Sequence, residues 1–158
     1  MQNKSLYAIL IKKENIGREK MSSPLESQEY LEALKIIEDL SQDYEKNALS
    51  EVQEMEDIFR QAQRDKDITL LTKDLFRKAH DMKGQGITFG YPLITFVGNH
   101  LCRYLENKTV LSESLLKGVR FHLNLISKIF EDKIKSEETL GANEIKDQVK
   151  KFDIDLQR

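Results

Sequence analysis

Apolar residues recur at helical spacing along most of the chain. From residue 30 onward they stand three or four positions apart, which places their side chains on one face of an α-helix. The stripes are Tyr30, Leu34, Ile37, Tyr44, Ala48, Val52, Met55, Phe59 and Ala62; Ile68, Leu71, Leu75, Ala79 and Met82; Leu93, Phe96, Val97, Leu101 and Tyr104; Leu115, Val119, Leu123, Ile126 and Phe130; and Ile145, Val149, Phe152 and Leu156. The first stripe predicts one long helix or two helices broken between Tyr44 and Ala48. Outside residues 1–24, no alternation of apolar and polar residues indicates a β-strand.

Breaker and capping residues set the expected helix ends. The second stripe runs into three glycines, Gly84, Gly86 and Gly90, which predict that this helix ends among them. Pro92 suits the first turn of a helix over 92–106 with Asn107 as its stop, and Ser112 suits the N-cap of the next helix. Gly141 precedes the last stripe.

These helices predict an all-α fold. Connections of about 2–8 residues favour an antiparallel up-and-down four-helix bundle with an additional flanking helix or helices. We expect an N-terminal arm over 1–24, a helical bundle over 25–136 and a C-terminal helix over 137–158. The apolar run Leu6–Ile11 in the arm could form a strand, pack on the bundle or mediate a dimer contact, and the sequence leaves these alternatives open.

Composition narrows the class of protein. The 158 residues fit one domain, and 33% charged and 39% hydrophobic residues with 7 Gly and 2 Pro indicate a soluble helical protein. The net charge of −2, with no long basic block, argues against nucleic acid as a partner. Leu6–Ile11 is too short for a membrane span. The single cysteine, Cys102, excludes an intrachain disulfide and fits a cytoplasmic setting.

Charge is unevenly distributed. Residues 26–67 carry five Lys and Arg against 13 Asp and Glu, whereas 68–108 carry six against three. The second window contains His80, and a local basic excess is suited to an anion. On a helical wheel, His80 lies about 135° from the middle of the stripe that contains Leu71 and Met82. We therefore expect His80 to face solvent.

The neighbours of His80 indicate phosphoryl-acceptor chemistry. Lys83 and Gly84 lie one turn beyond it. Gly84 costs about 1 kcal/mol in a helix relative to alanine, which calls for a reason other than folding, and its missing side chain leaves the imidazole accessible. An exposed imidazole is a nucleophile near pH 7, and an ammonium one turn away can stabilise a phosphoryl group placed on it. A surface histidine with a lysine at i+3 also arises by chance.

The segment from His80 to Pro92 resembles the H-x-x-K-G signature of histidine-containing phosphotransfer (HPt) domains, including a glycine ten residues after the histidine, Gly90. The resemblance covers about residues 73–108. It implies that His80 exchanges a phosphoryl group with an aspartate of a response-regulator receiver domain, that Lys83 stabilises the phosphate, and that Gly84 gives access.

The resemblance also implies the partners and cofactors. The partners would be a receiver domain, a hybrid histidine kinase or both. The chain would act as a transfer carrier that uses no ATP and holds no cofactor, and Mg²⁺ would belong to the receiver. In some members a polar side chain from the following helix bonds the histidine. Asn99, Cys102 and Arg103 stand in that stretch, and none can be assigned the role.

The expected docking residues surround His80 on its outer face: Lys73, Phe76, Arg77 and Ile87. Phe76 and Ile87 would form an apolar collar for the receiver, unless the bundle buries them. A scaffold that binds a receiver or kinase without carrying phosphate is the main alternative, and an excised part of a chemotaxis-type kinase is another. A metal-dependent enzyme is disfavoured because His100 and His122 lack helical metal-ligand spacing. Both histidines and Cys102 are expected to be packing residues.

Overall fold

The computed structural model describes residues 24–136 and 138–156, and this part of the chain is helical and contains no strand. The predicted all-α class is confirmed. The five α-helices are α1 (Pro24–Asp65), α2 (Phe76–Gly86), α3 (Pro92–Leu105), α4 (Glu113–Glu131) and α5 (Ala142–Leu156). The predicted arm, 1–24, lies outside the described residues except for Pro24, where α1 begins.

Helix α1 is continuous through residues 44–48, so the alternative of two helices is wrong. The chain divides into two compact units, Met1–Gln42 and Asp43–Arg158. In the described part of the first unit, Tyr30 and Leu34 are half-buried whereas Leu31 and Ile36 are exposed. None of the helices among the described residues has the length and apolar character needed to cross a membrane.

The core of the unit Asp43–Arg158 collects the apolar faces of all five helices. Helix α3 is central, because it packs against α2, α4 and α5, and α1 contributes its residues from Tyr44 onward. The largest fully buried side chains are Met55, Phe59, Leu71, Leu75, Met82, Tyr91, Leu93, Ile94, Leu101, Leu105, Leu123 and Ile126. Most of them belong to the predicted stripes, so the helical period identified the core-facing side of each helix.

The helix ends follow the predicted signals. Helix α2 ends at Gly86 and is followed by Gly90 at φ +81°. Pro92 occupies the first turn of α3, which ends just before Asn107 at φ +59°. The Ser112 hydroxyl accepts a hydrogen bond of 3.0 Å from the Leu115 N–H at the start of α4. Each end therefore uses a residue suited to it by its side chain or by tolerance of the left-handed region.

A π-helical segment, Leu70–Leu75, leads directly into α2 and was not predicted from the sequence. Its closing bond runs from the Phe76 N–H to the Leu71 carbonyl oxygen, five residues back. Leu71 and Leu75 are fully buried. Such segments are rare, and those that occur are frequently close to functional sites. This one ends at Leu75, five residues before His80.

Helices α2 and α3 approach closely because two glycines lie between them. A Cβ added at Gly98 would lie 2.9 Å from the Lys83 Cβ, and one added at Gly86 would lie 2.7 Å from the Thr95 Oγ1. Thr95 Oγ1 donates to the Lys83 carbonyl oxygen at 2.7 Å and accepts from the Ile87 N–H at 3.1 Å. This threonine fastens the end of α2 to the start of α3.

Candidate functional site

His80 lies on the outer face of α2 with 58% of its side chain exposed, as predicted. Its Nδ1 is 3.7 Å from Asp81 Oδ1. Its ring is roughly parallel to that of Phe76, with 6.3 Å between the centroids. The imidazole is therefore open to an incoming group and has a carboxylate beside only one of its two nitrogens.

Gly84 is exposed, and nothing lies within 4 Å of a Cβ built on it. Neither packing nor backbone conformation requires glycine at this position. The helix therefore bears the cost of a glycine that its own fold does not use. What the missing side chain provides is open space one turn from His80.

Lys83 is half-buried, and its stem lies against α3 at Gly98. Its Nζ donates to Asn99 Oδ1 at 3.5 Å, so Asn99 contacts the lysine rather than the histidine. Cys102 is buried, with its Sγ 4.0 Å from the Phe76 carbonyl oxygen, and burial raises the pKa of its thiol. Arg103 is exposed. The structure gives none of these three α3 residues a hydrogen bond to His80.

An open depression of about 390 Å³ begins one turn beyond His80 on α2, and it is lined by Lys83, Gly84, Ile87, Thr95, Phe96 and Asn99. Phe96 was predicted on the inner face of its helix, but 39% of it is exposed. The prediction was wrong because Phe96 stands at the edge of the stripe, where the wheel alone does not separate core from surface. The depression is mainly apolar, and Lys83 is one of its lining residues.

The predicted docking residues divide by burial. Ile87 is 67% exposed, whereas Phe76 is half-buried and packs against the core. Lys73 is exposed on the π-helical segment. Arg77 is exposed and lies 3.7 Å from Asp74. Ile87 and Phe96 are both exposed large hydrophobic residues that line the same depression.

Part of the basic excess around His80 is neutralised locally. Lys78 forms an ion pair with Glu54 of α1. Burial, with Glu54 and Asp81 as acidic neighbours, raises the pKa of Glu51 despite the opposing Lys78. The hydrogen-bond partner of Lys83 is the neutral amide of Asn99 and not a carboxylate.

The other two histidines form a separate cluster. His100 Nδ1 and His122 Nε2 are 2.6 Å apart, which the spacing of 22 residues did not reveal. His122 is fully buried, and burial lowers its pKa to about 4. Among the described residues, no group of three histidine, cysteine or acidic side chains is placed to hold a metal ion.

No protein-family model, curated protein or solved structure matches the chain.

Proposed function

We propose that this chain is a phosphorelay carrier of the HPt type, in which His80 accepts a phosphoryl group from an aspartate of a receiver domain and passes it on. The observation that carries the proposal is the exposed imidazole beside Gly84, a helical glycine with open space around it. Lys83, held at Asn99, stands one turn from the histidine as a phosphate ligand.

We infer the corresponding architecture from the same resemblance. The part of α1 from Tyr44 onward, with α2, α3 and α4, would form an antiparallel up-and-down four-helix bundle, and α5 would be the flanking helix. Shared burial of α1, α2, α3 and α4 in one core supports this arrangement. The bundle would supply a fixed nucleophile, and positioning would be its main contribution to catalysis.

The surroundings of His80 favour Nε2 as the attacking atom. The Asp81 carboxylate, 3.7 Å from Nδ1, favours the tautomer with its proton on Nδ1 and the lone pair on Nε2. In the transfer, a bond forms between Nε2 and phosphorus as the acyl-phosphate O–P bond of the receiver aspartate breaks. The aspartate leaves as a carboxylate, and the reverse step restores it.

The receiver would dock on the apolar surface beside the histidine, where Ile87 and Phe96 are exposed. Arg77 and Lys73 would add positive charge at its edge. The Mg²⁺ that such transfers use would be held by the receiver. Lys83 would offset the charge on the phosphoryl group during transfer.

The test is transfer of labelled phosphate from a panel of phosphorylated receiver domains to the full chain. We expect wild type to acquire an acid-labile, base-stable label and His80→Gln to acquire none. Because His80 is exposed, the substitution should leave thermal unfolding nearly unchanged. Lys83→Gln should slow transfer about tenfold, the effect of one lost charge-assisted hydrogen bond.

Lys117→Gln is the matched control, since Lys117 is a 76% exposed lysine on α4; its transfer rate should equal that of wild type. Label that persists in His80→Gln would refute the assignment of the nucleophile. A receiver that binds wild type but transfers nothing would replace the relay with the alternative, an HPt-like scaffold that binds without carrying phosphate.

A further inference from the structure

A continuous hydrogen-bonded chain crosses three helices away from His80. His122 Nδ1 on α4 lies 2.6 Å from the Gly118 carbonyl oxygen, and its Nε2 lies 2.6 Å from His100 Nδ1 on α3. His100 Nε2 lies 2.8 Å from Asp153 Oδ1 on α5. Each of these three contacts is short enough to require one proton between its two atoms.

Counting donors shows that this chain of three hydrogen bonds needs three protons. Its two ends, the Gly118 carbonyl oxygen and an ionised Asp153, are acceptors only. Two neutral imidazoles contribute one N–H each, which satisfies two of the three contacts. The third contact needs one more proton, and the count allows it on His122, on His100 or on the Asp153 carboxyl. Burial lowers the pKa of His122 to about 4, so His122 stays neutral with its N–H toward Gly118, and the proton belongs to His100 or Asp153.

We propose that this chain of hydrogen bonds, from Gly118 to Asp153, acts as a proton-dependent clasp that holds the C-terminal part of α5. The clasp holds when the hydrogen-bonded groups carry one proton more than two neutral imidazoles do, and it loosens when they carry fewer or more. When the hydrogen-bonded groups carry fewer protons, the lone pair of His100 Nε2 faces the carboxylate of Asp153. With one proton more, either two imidazolium rings face each other at 2.6 Å or Asp153 loses the negative charge that faces His100. Docking of α5 should therefore be strongest in a window of pH and weaker on both sides.

The surroundings of the clasp support a single shared proton. His122 is enclosed by the rings of Tyr104, Phe121 and Phe152, and burial holds its pKa low, at about 4, which keeps it neutral when docked. The charged groups of the described residues that act on it are His100 and Asp153. Tyr104, which stacks on His122, has its hydroxyl bonded to the Ser114 carbonyl oxygen, and the Lys108 ammonium lies 5.1 Å from the centre of the Tyr104 ring.

The two ends of α5 are held differently. Near its start, Ala142, Ile145 and Val149 are buried in the core. Near its end, Phe152 stacks on Phe121 with 4.5 Å between the centroids, and Asp153 is half exposed. Protonation should therefore loosen the last turns of α5 while its first turns stay anchored.

The sign on each side follows from the number of protons bound in the docked and released states. Above the window, the docked contacts still require three protons while the released groups bind fewer, so docking weakens as pH rises. Below the window, release allows His122 to bind a proton that burial denies it, so docking weakens as pH falls below the ordinary histidine range near 6.5. On each side of the window, one pH unit should change the docking equilibrium by up to about tenfold.

The experiment measures amide hydrogen exchange of residues 150–156 in the full chain between pH 5 and 8.5, corrected for intrinsic exchange rates. We expect protection to pass through a maximum. Side-chain ¹⁵N shifts at that maximum should show His122 as the neutral Nδ1–H tautomer. The same shifts should show a third proton in this chain of hydrogen bonds, on His100 or at Asp153.

Asp153→Asn is the informative variant, because an amide can donate to a neutral His100 Nε2 and the extra proton is no longer needed. We expect it to abolish the decline at high pH and to keep the decline at low pH. Asp155→Asn is the matched control, an exposed aspartate on the same helix, and should retain both declines. Protection that is flat with pH in wild type would overturn the clasp, as would a high-pH decline that survives in Asp153→Asn.

Discussion

Three glycines on α2 and α3 have very different surroundings. A Cβ at Gly84 would meet nothing, whereas one at Gly86 would lie within 3 Å of Tyr91 and Thr95 backbone atoms, and one at Gly98 would press on Lys83. Gly86 and Gly98 are thus needed for close packing of the two helices. Packing does not require a glycine at position 84, and this is why Gly84 supports the proposed function.

Gly84→Ala should stabilise the protein and impair phosphotransfer. Alanine lowers the free energy of a helix by about 1 kcal/mol relative to glycine, and there is room for its methyl group. The same methyl group stands beside the imidazole and should hinder a docking receiver. Urea unfolding and the transfer assay on the same preparation measure both effects.

Gly86→Ala is the contrasting variant and should destabilise the fold by about 1–3 kcal/mol, because its methyl group would meet backbone atoms that have no room to move. A loss of stability in Gly84→Ala would show that the glycine has a folding role and would remove the main support for the site.

Local sequence signals placed His80, Lys83 and Gly84 near each other on one helix, since their spacing alone is enough to bring them together. They did not identify Phe96 or the contact between Lys83 and Asn99. Those depend on how close α3 lies to α2, and that distance is set by Gly98, a glycine whose role appears only when the partner helix is present.

At the scale of elements, helix starts were more predictable than helix continuity. The Ser112 cap was evident from the sequence because capping is a local interaction between a hydroxyl and an N–H three residues on. The unbroken course of α1 through Tyr44 and Ala48 was not evident. Both residues are buried in the core, so packing against other helices stabilises a stretch that local preference leaves undecided.

Ser112→Ala should lower the free energy of unfolding by about 1 kcal/mol, because the Leu115 N–H loses its acceptor. Ser114→Ala, two residues further on, is the control. The Ser114 hydroxyl forms none of the hydrogen bonds described for this helix start, and only its carbonyl oxygen is used. Equal losses in the two variants, measured by denaturant unfolding, would contradict the cap.

At the scale of the whole molecule, polar contacts between distant segments join the helices of the unit Asp43–Arg158. Arg120 of α4 donates from Nη1 to both carboxylate oxygens of Glu56 on α1, at 2.6 and 2.7 Å, and its guanidinium lies 4.4 Å from the centre of the Phe59 ring. A separation of 64 residues leaves no signal in a single sequence. Such pairs could therefore not be predicted, although the helices that carry them were.

A double-mutant cycle between Arg120 and Glu56, each changed to alanine, should give a coupling energy of about 1 kcal/mol, because the pair is partly buried and bound through two contacts. The Arg60 and Asp57 pair, more than half exposed on one helix, should couple by less than about 0.5 kcal/mol. Coupling as weak in the first pair as in the second, in denaturant unfolding at low salt, would show that it does not hold α1 to α4.

The π-helical segment before α2 has a consequence for chain length. A π-helical turn contains one residue more than an α-helical turn. Loss of a single residue between Leu70 and Leu75 could be absorbed by conversion of that turn to an ordinary one. Loss of a residue between Phe76 and His80 would instead rotate the histidine by about 100° relative to the preceding helix. The segment is therefore a stretch of this helix in which the deletion of one residue leaves the direction of His80 unchanged.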